Sequence, residues 1–207
     1  MTTLVAAVLV GLTSWTTAPA EVVTRPGRTF ADSAAPPRTE GAAVALAAVG
    51  IDAPLDPIRF RGSVLDPPSD VHRVGWWADG TDVASARGDR PTVLAGHVSD
   101  GRDRPGAFAS LHDVRVGMTV VTRDADDRVA VWRVARIRTF AKDELPRETF
   151  LPAGRRVLRL ITCDTRVVRP DGRFHYEDNL VVEAEPVSGT PGPQPPSGTA
   201  APSTPAR

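Results

Sequence analysis

The sequence predicts a mainly β domain, closed as a barrel or stacked as a sandwich, and three observations lead there. Short apolar runs recur between Gly- and Pro-rich connections, the layout of an all-β domain. Several of those runs alternate apolar and polar residues, the two-residue period of a strand with one buried face. No segment of the central region offers a crossover helix of adequate length, so parallel βαβ units are not expected.

Taken in order, residues 1–20 carry no charge, and Leu4 to Leu12 form an apolar run followed by Ala18-Pro19-Ala20. This reads as a secretory signal with a small-residue cleavage site, or as an uncleaved membrane anchor. Residues 21–40 are polar and proline-dotted, as in a flexible linker. The folded domain is expected over 41–187. Its first apolar run, "AVALAAVGI" (43–51), reads as a strand ended by Pro54 and Pro57. "TVLAGH" (92–97) is a compact strand bounded by Pro91 and a polar loop. "GMTVVTRD" and "DRVAVWRVARIRTF" meet at Asp126-Asp127, as in a hairpin. "RRVLRLITC" (155–163) and "NLVVEAE" (179–185) complete the strands, and only 106–113 and 145–152 suggest brief helical turns. Residues 188–207 are nearly all Pro, Gly, Ser, Thr and Ala. Too apolar-poor to offset its ordering entropy, that tail is expected to be disordered.

The formal net charge of zero gives no reason to expect nucleic acid or an acidic membrane surface as a partner. Lys142 is the only lysine among 25 basic residues, a skew toward arginine that fits GC-rich bacterial coding. One cysteine and scattered histidines lack the spacing of a zinc site, and no phosphate-cradling glycine loop is present. No metal or cofactor is therefore expected. Asp126-Asp127 and Asp143-Glu144 are explained as turn and surface acids.

The single cysteine, Cys163, closes the run "RVLRLITC". With no partner in the chain it is a buried apolar side chain, an intermolecular link or a reactive thiol. A reactive thiol needs a neighbouring imidazole or guanidinium, because a free thiol, with a pKa of about 8.5, is mostly protonated at neutral pH. Of four histidines, His97 stands out because it closes "TVLAGH" and opens a polar loop. A strand end holds a side chain rigidly beside loop-formed space. The candidate arginines after the cysteine are Arg166, Arg169 and Arg173. Any one of them offers a fixed charge for an oxyanion. Arg173, just ahead of the last strand, is the first choice, with Arg169 and Arg166 as fallbacks. His72, His112 and His175 carry no signature and are read as structural.

These residues bring out a resemblance. "TVLAGHVSDGRDRPGAFASLHDVRVGMTVVTRD", "LRLITCD" and "YEDNLVVEAE", with "VGIDAPLDPI" and "VHRVGWWADG" before them, resemble a sortase domain over residues 43–186. The similarity is greatest to actinobacterial class E and F members. It implies a closed β-barrel of about eight strands and a cysteine transpeptidase acting on a short sorting motif of the LPxTG or LAxTG type in secreted proteins. It further implies transfer through a thioacyl enzyme to a cell-wall peptide amine, and a location outside the cytoplasm, membrane-anchored or secreted at the cell surface. Carried over by residue, Cys163 is the nucleophile, His97 the general acid and base, and Arg173 the oxyanion or substrate stabiliser. The chain departs from the pattern where Asp164-Thr165 follow the cysteine in place of a glycine pair.

Thr162, Trp76, Ser99 and Asp100 are expected at the substrate. Thr162 would contact the substrate backbone and Trp76, with Trp77, would wall the groove. Ser99 and Asp100 would orient His97. Two rival functions stay open at the level of sequence: a cysteine hydrolase on the same barrel, and a non-catalytic surface β-domain with a buried cysteine.

Overall fold

The computed structural model describes residues 35–85 and 88–187. The expected signal or anchor, the linker up to residue 34 and the C-terminal tail lie outside the described residues. Eight strands are present: β1 (Ala43–Leu46), β2 (Ile51–Ile58), β3 (Val74–Trp77), β4 (Thr92–Gly96), β5 (Thr119–Arg123), β6 (Val129–Ala141), β7 (Leu158–Val168) and β8 (Phe174–Pro186). They close into one barrel in the order β1-β2-β3-β4-β7-β8-β6-β5. Three short 3₁₀ turns, Ala47–Val49, Leu111–Asp113 and Arg147–Thr149, are the helical elements among the described residues.

Closure removes sheet edges, and the alternation of each strand then separates two apolar groups. Leu94, Leu158, Leu160, Leu180, Val182, Trp132 and Phe108 fill the barrel interior. Residues of the opposite parity, Val93, Ile161 and Val181, form a second cluster on the outer face with Trp77. Phe60, Leu65, Phe140, Leu145 and Phe150 pack over it. The β6–β7 connection is fastened there by an ion pair that is itself buried. Arg159 Nε meets Glu183 Oε2 at 3.1 Å, and its Nη1 donates to the carbonyls of Glu148 and Thr149. A guanidinium can be buried on these terms because its charge is paired and Nη1 is bonded to two carbonyls.

The structure departs from the sequence reading at two places. The run 43–51 is not one strand, because the 3₁₀ turn 47–49 and Gly50, at φ 73°, reverse the chain between β1 and β2. Nor do Pro54 and Pro57 end the strand, since β2 continues to Ile58. Leu55 donates its N–H to Ala42, so odd residues of β2 face β1 and even ones face β3. Pairing with β3 starts at Leu55 and pairing with β1 ends at Pro54. Each ring therefore sits where no ladder donor is needed.

The absence of crossover helices also did not exclude parallel pairing. β2 runs parallel to β3, and β4 runs parallel to β7. An irregular connection serves the first pair, and the β5–β6 hairpin intervenes in the second. Residues 37–41, at the end of the expected linker, are held to the barrel. Asp52 accepts from the backbone of Arg38 and Thr39, and Arg123 donates to the carbonyls of Pro37, Thr39 and Gly41.

Candidate active site

The β4–β7 pair positions the site. Its register runs Thr92↔Leu158 to Ala95↔Ile161, and His97 and Cys163 each follow that last pair by two residues. Thr162 extends the attachment past the last ladder pair by donating its hydroxyl to the Gly96 carbonyl at 2.8 Å. Directly paired residues of neighbouring strands stand on the same face. His97 and Cys163 share the parity of Val93 and Ile161, so they rise from the outer face at the end of the second apolar cluster. Thr162 is 4% exposed and belongs to the inner side.

His97 is fixed from three directions. Its carbonyl accepts from Phe108 N at 3.0 Å. Gly106 passes so close that a Cβ there would lie 2.3 Å from His97 O, which requires glycine at that position. Its ring Nε2 lies 3.0 Å from the Pro68 carbonyl in the β2–β3 connection. A carbonyl only accepts, so this is a hydrogen bond only when Nε2 carries the proton. In the neutral ring the lone pair is then on Nδ1, which is the nitrogen left to exchange protons.

A cavity of about 220 Å³ opens at the barrel mouth beside the thiol, lined by Cys163, Thr162, Asp164, Thr165, Arg166, Tyr176 and His112, with Val98, Phe108 and Leu180 as apolar walls. Arg166 is the arginine at this cavity. Its guanidinium meets Asp103 Oδ2 at 2.7 Å and stacks on the Phe174 ring, 4.4 Å from the centroid. Tyr176 shares a 2.8 Å hydrogen bond with Ser99 Oγ. These contacts join the 98–105 loop to the β7–β8 hairpin.

Several expected site residues stand elsewhere. Arg173 lies in the turn between β7 and β8, its side chain 81% exposed and paired with Asp171 at 3.2 Å. Arg169 belongs to the same turn, accepting from Gly172 N and donating to Arg173 O. Neither lines the cavity, because the hairpin carries this turn well past the level of Cys163. Trp76 is half-buried against the inner core and donates toward Thr81 O at 3.4 Å, while Trp77 is in the outer cluster. Asp100 is occupied by its own loop: it accepts from Arg102 N, Arg104 N and Arg104 Nε at 2.7–2.9 Å. Those bonds, the Arg104 amide foremost, hold its carboxyl at about 2. Ser99 bonds Tyr176 and so orients the cavity wall rather than His97. Sequence reasoning missed His112 and Tyr176. Nothing in "ASLHD" signals that the 3₁₀ turn 111–113 returns to the cysteine strand.

Thr165 has φ 54°, a left-handed conformation that is an outlier for a β-branched residue. It occupies a position of the expected glycine pair, and a glycine there would be unstrained. Thr165→Gly is expected to stabilise the protein by about 1 kcal/mol, with Thr165→Ala gaining less, as read by urea denaturation of the full chain. Among the described residues no group of three or more His, Cys, Asp or Glu is arranged to hold a metal ion.

The comparisons with known proteins bear on family and fold. The sortase domain family matches residues 47–187, about two thirds of the chain. The chain belongs to the sortase family. Sortase A from Corynebacterium diphtheriae superimposes with a TM-score of 0.55 at 16% identity, covering 70% of this chain and 60% of that one. Sortase C1 from Streptococcus suis gives 0.53 at 18% identity, covering 70% and 72%, and sortase C1 of Streptococcus agalactiae gives 0.53 at 18%, covering 70% and 68%. At these identities the likeness is one of fold. Comparison with curated proteins gives no match. Sortases are cysteine transpeptidases of the cell surface that act on sorting signals and cell-wall amines, and this member has a single cysteine, Cys163. No helix among the described residues is long and apolar enough to cross a membrane.

Proposed function

We propose that this sortase cleaves an LPxTG- or LAxTG-type motif of secreted proteins at the cell surface and transfers the product to a cell-wall peptide amine. The observation that supports this reading is the β4–β7 register, whose last pair, Ala95↔Ile161, lies two residues before both His97 and Cys163. The Cys163 thiolate attacks the carbonyl carbon of the Thr–Gly-type bond, forming a C–S bond. As the C–N bond breaks, the imidazolium of His97 gives a proton to the departing amine, leaving a thioacyl enzyme. The acceptor amine then attacks that carbonyl carbon and forms the C–N bond, its proton passes to the now neutral His97, and the C–S bond breaks with its electron pair returning to Cys163.

The oxyanion formed in each step needs a donor, and Arg166 lies at the cavity, whereas the initially expected Arg173 lies in the distal turn. Arg166→Ala is expected to lower kcat by about 10²–10³-fold, the usual cost of one oxyanion donor. Arg173→Ala is the comparison, and an equal loss there assigns the role to the turn instead. The reading itself is tested by intact mass spectrometry of the full chain mixed with LPxTG- and LAxTG-type peptides. A thioacyl adduct is expected. Products formed with and without an added amine separate transfer from hydrolysis. No adduct with either peptide, together with a native thiol inert to alkylation, would sink the assignment.

A further inference from the structure

The peptide half-reaction proposed above uses Cys163, His97 and Arg166. It leaves without a role two other groups of the cavity that opens beside the same cysteine, Asp164 and His112. Its walls are chemically specific. Val98, Phe108 and Leu180 are apolar, Asp164 supplies a carboxylate next to Cys163, and His112 supplies an imidazole. The charge balance inside favours a cation. Arg166, the one guanidinium among the lining residues, is already paired with Asp103. The contact recorded for the Asp164 carboxylate is the Thr139 hydroxyl at 3.3 Å, with no ion pair to it among the described residues. Asp178 stands directly opposite Asp164 in the β7–β8 register, and two like charges so placed repel unless a cation lies between or near them.

We propose that this cavity seats the acceptor substrate, a primary amine on a short aliphatic stem, with Asp164 recognising the ammonium group and His112 accepting a proton from it. The inference rests on the transpeptidase reading above. Apolar walls suit methylene groups, and a partly buried carboxylate is the natural partner of an ammonium that must leave water to reach a thioester.

The step balances. The ammonium gives one proton to His112 and becomes a neutral amine. Its nitrogen forms the C–N bond to the thioacyl carbon, and the C–S bond breaks with its electron pair going to Cys163 Sγ. The second nitrogen proton passes to that thiolate directly or through His97, restoring the thiol.

The experiment compares two nucleophiles with the full chain and a sorting peptide: Nα-acetyl-lysine amide, a cation on a four-carbon stem, and hydroxylamine, which is uncharged near neutral pH. The quantity read is the ratio of their kcat/KM values. Asp164→Asn is expected to lower that ratio about tenfold or more, in line with loss of a partly buried charge pair. Asp164→Glu is expected to recover part of it. His112→Gln is expected to lower the ratio through kcat, since hydroxylamine arrives already deprotonated. A ratio unchanged in Asp164→Asn, with a thioacyl enzyme still formed, overturns the acceptor site and leaves the transpeptidase reading standing. Failure of the unaltered chain to form a thioacyl enzyme overturns both.

Discussion

Cys163→Ala is expected to form no acyl adduct with any sorting peptide and to lose turnover by on the order of 10⁴-fold or more, because the covalent step has no other nucleophile. The chain has no second thiol to substitute for it. Fold loss is not the expected cause. The strand is held at this point by backbone pairing of Cys163 with Asn179, and the side chain is only half-buried. A thermal melt within a few degrees of the unaltered protein, beside absent adduct, is the result that assigns chemistry to the sulfur. Retained turnover in this variant would remove the whole mechanism. The companion measurement is native alkylation of Cys163, which separates a reactive thiol from a packed one.

His97→Ala is expected to reduce peptide cleavage by about 10²–10⁴-fold, the range supplied by a positioned general acid and base. The variant also loses the hydrogen bond to Pro68, worth about 1 kcal/mol of stability. That structural cost and the catalytic one are separable. Stability is read from denaturant midpoints, and the catalytic role from the rate of Cys163 alkylation, which falls only if the imidazole assists the thiol. His97→Asn retains a donor for the Pro68 carbonyl without a titrating ring, so it is expected to recover stability and not activity. If His97→Asn regained activity, the imidazole would be doing no proton transfer.

The barrel was legible because strands announce themselves by period, and Cys163 and His97 stood out as candidates because both close apolar runs. "TVLAGH" and "RVLRLITC" end at equivalent levels, and the parallel register aligns those ends. Which arginine stands at the cavity was not legible in the same way. Arg166, Arg169 and Arg173 occur within one polar stretch, and only the length of the β7–β8 hairpin decides which of them stays near the cavity. Asp100 and Ser99 were misplaced for a related reason. Loop polar groups satisfy each other locally, and a sequence does not say which bonds stay inside the loop. The two prolines of β2 misled because a strand tolerates proline wherever a ladder starts or stops, and that depends on the neighbouring strands. His112 returns to the site through the path of the 106–113 segment over Gly96 and Gly106, a tertiary fact without a local signature.

The hydrogen bond from Thr162 to Gly96 joins residues 66 positions apart, and the β5–β6 hairpin lies between them. Local hairpins such as β5–β6 and β7–β8 close over short loops, whereas joining β4 to β7 carries the larger loop-closure entropy. The ends of β4 and β7 that carry His97 and Cys163 are therefore expected to meet late in folding. Until then the thiol is an ordinary cysteine side chain on an extended segment, with no imidazole held beside it.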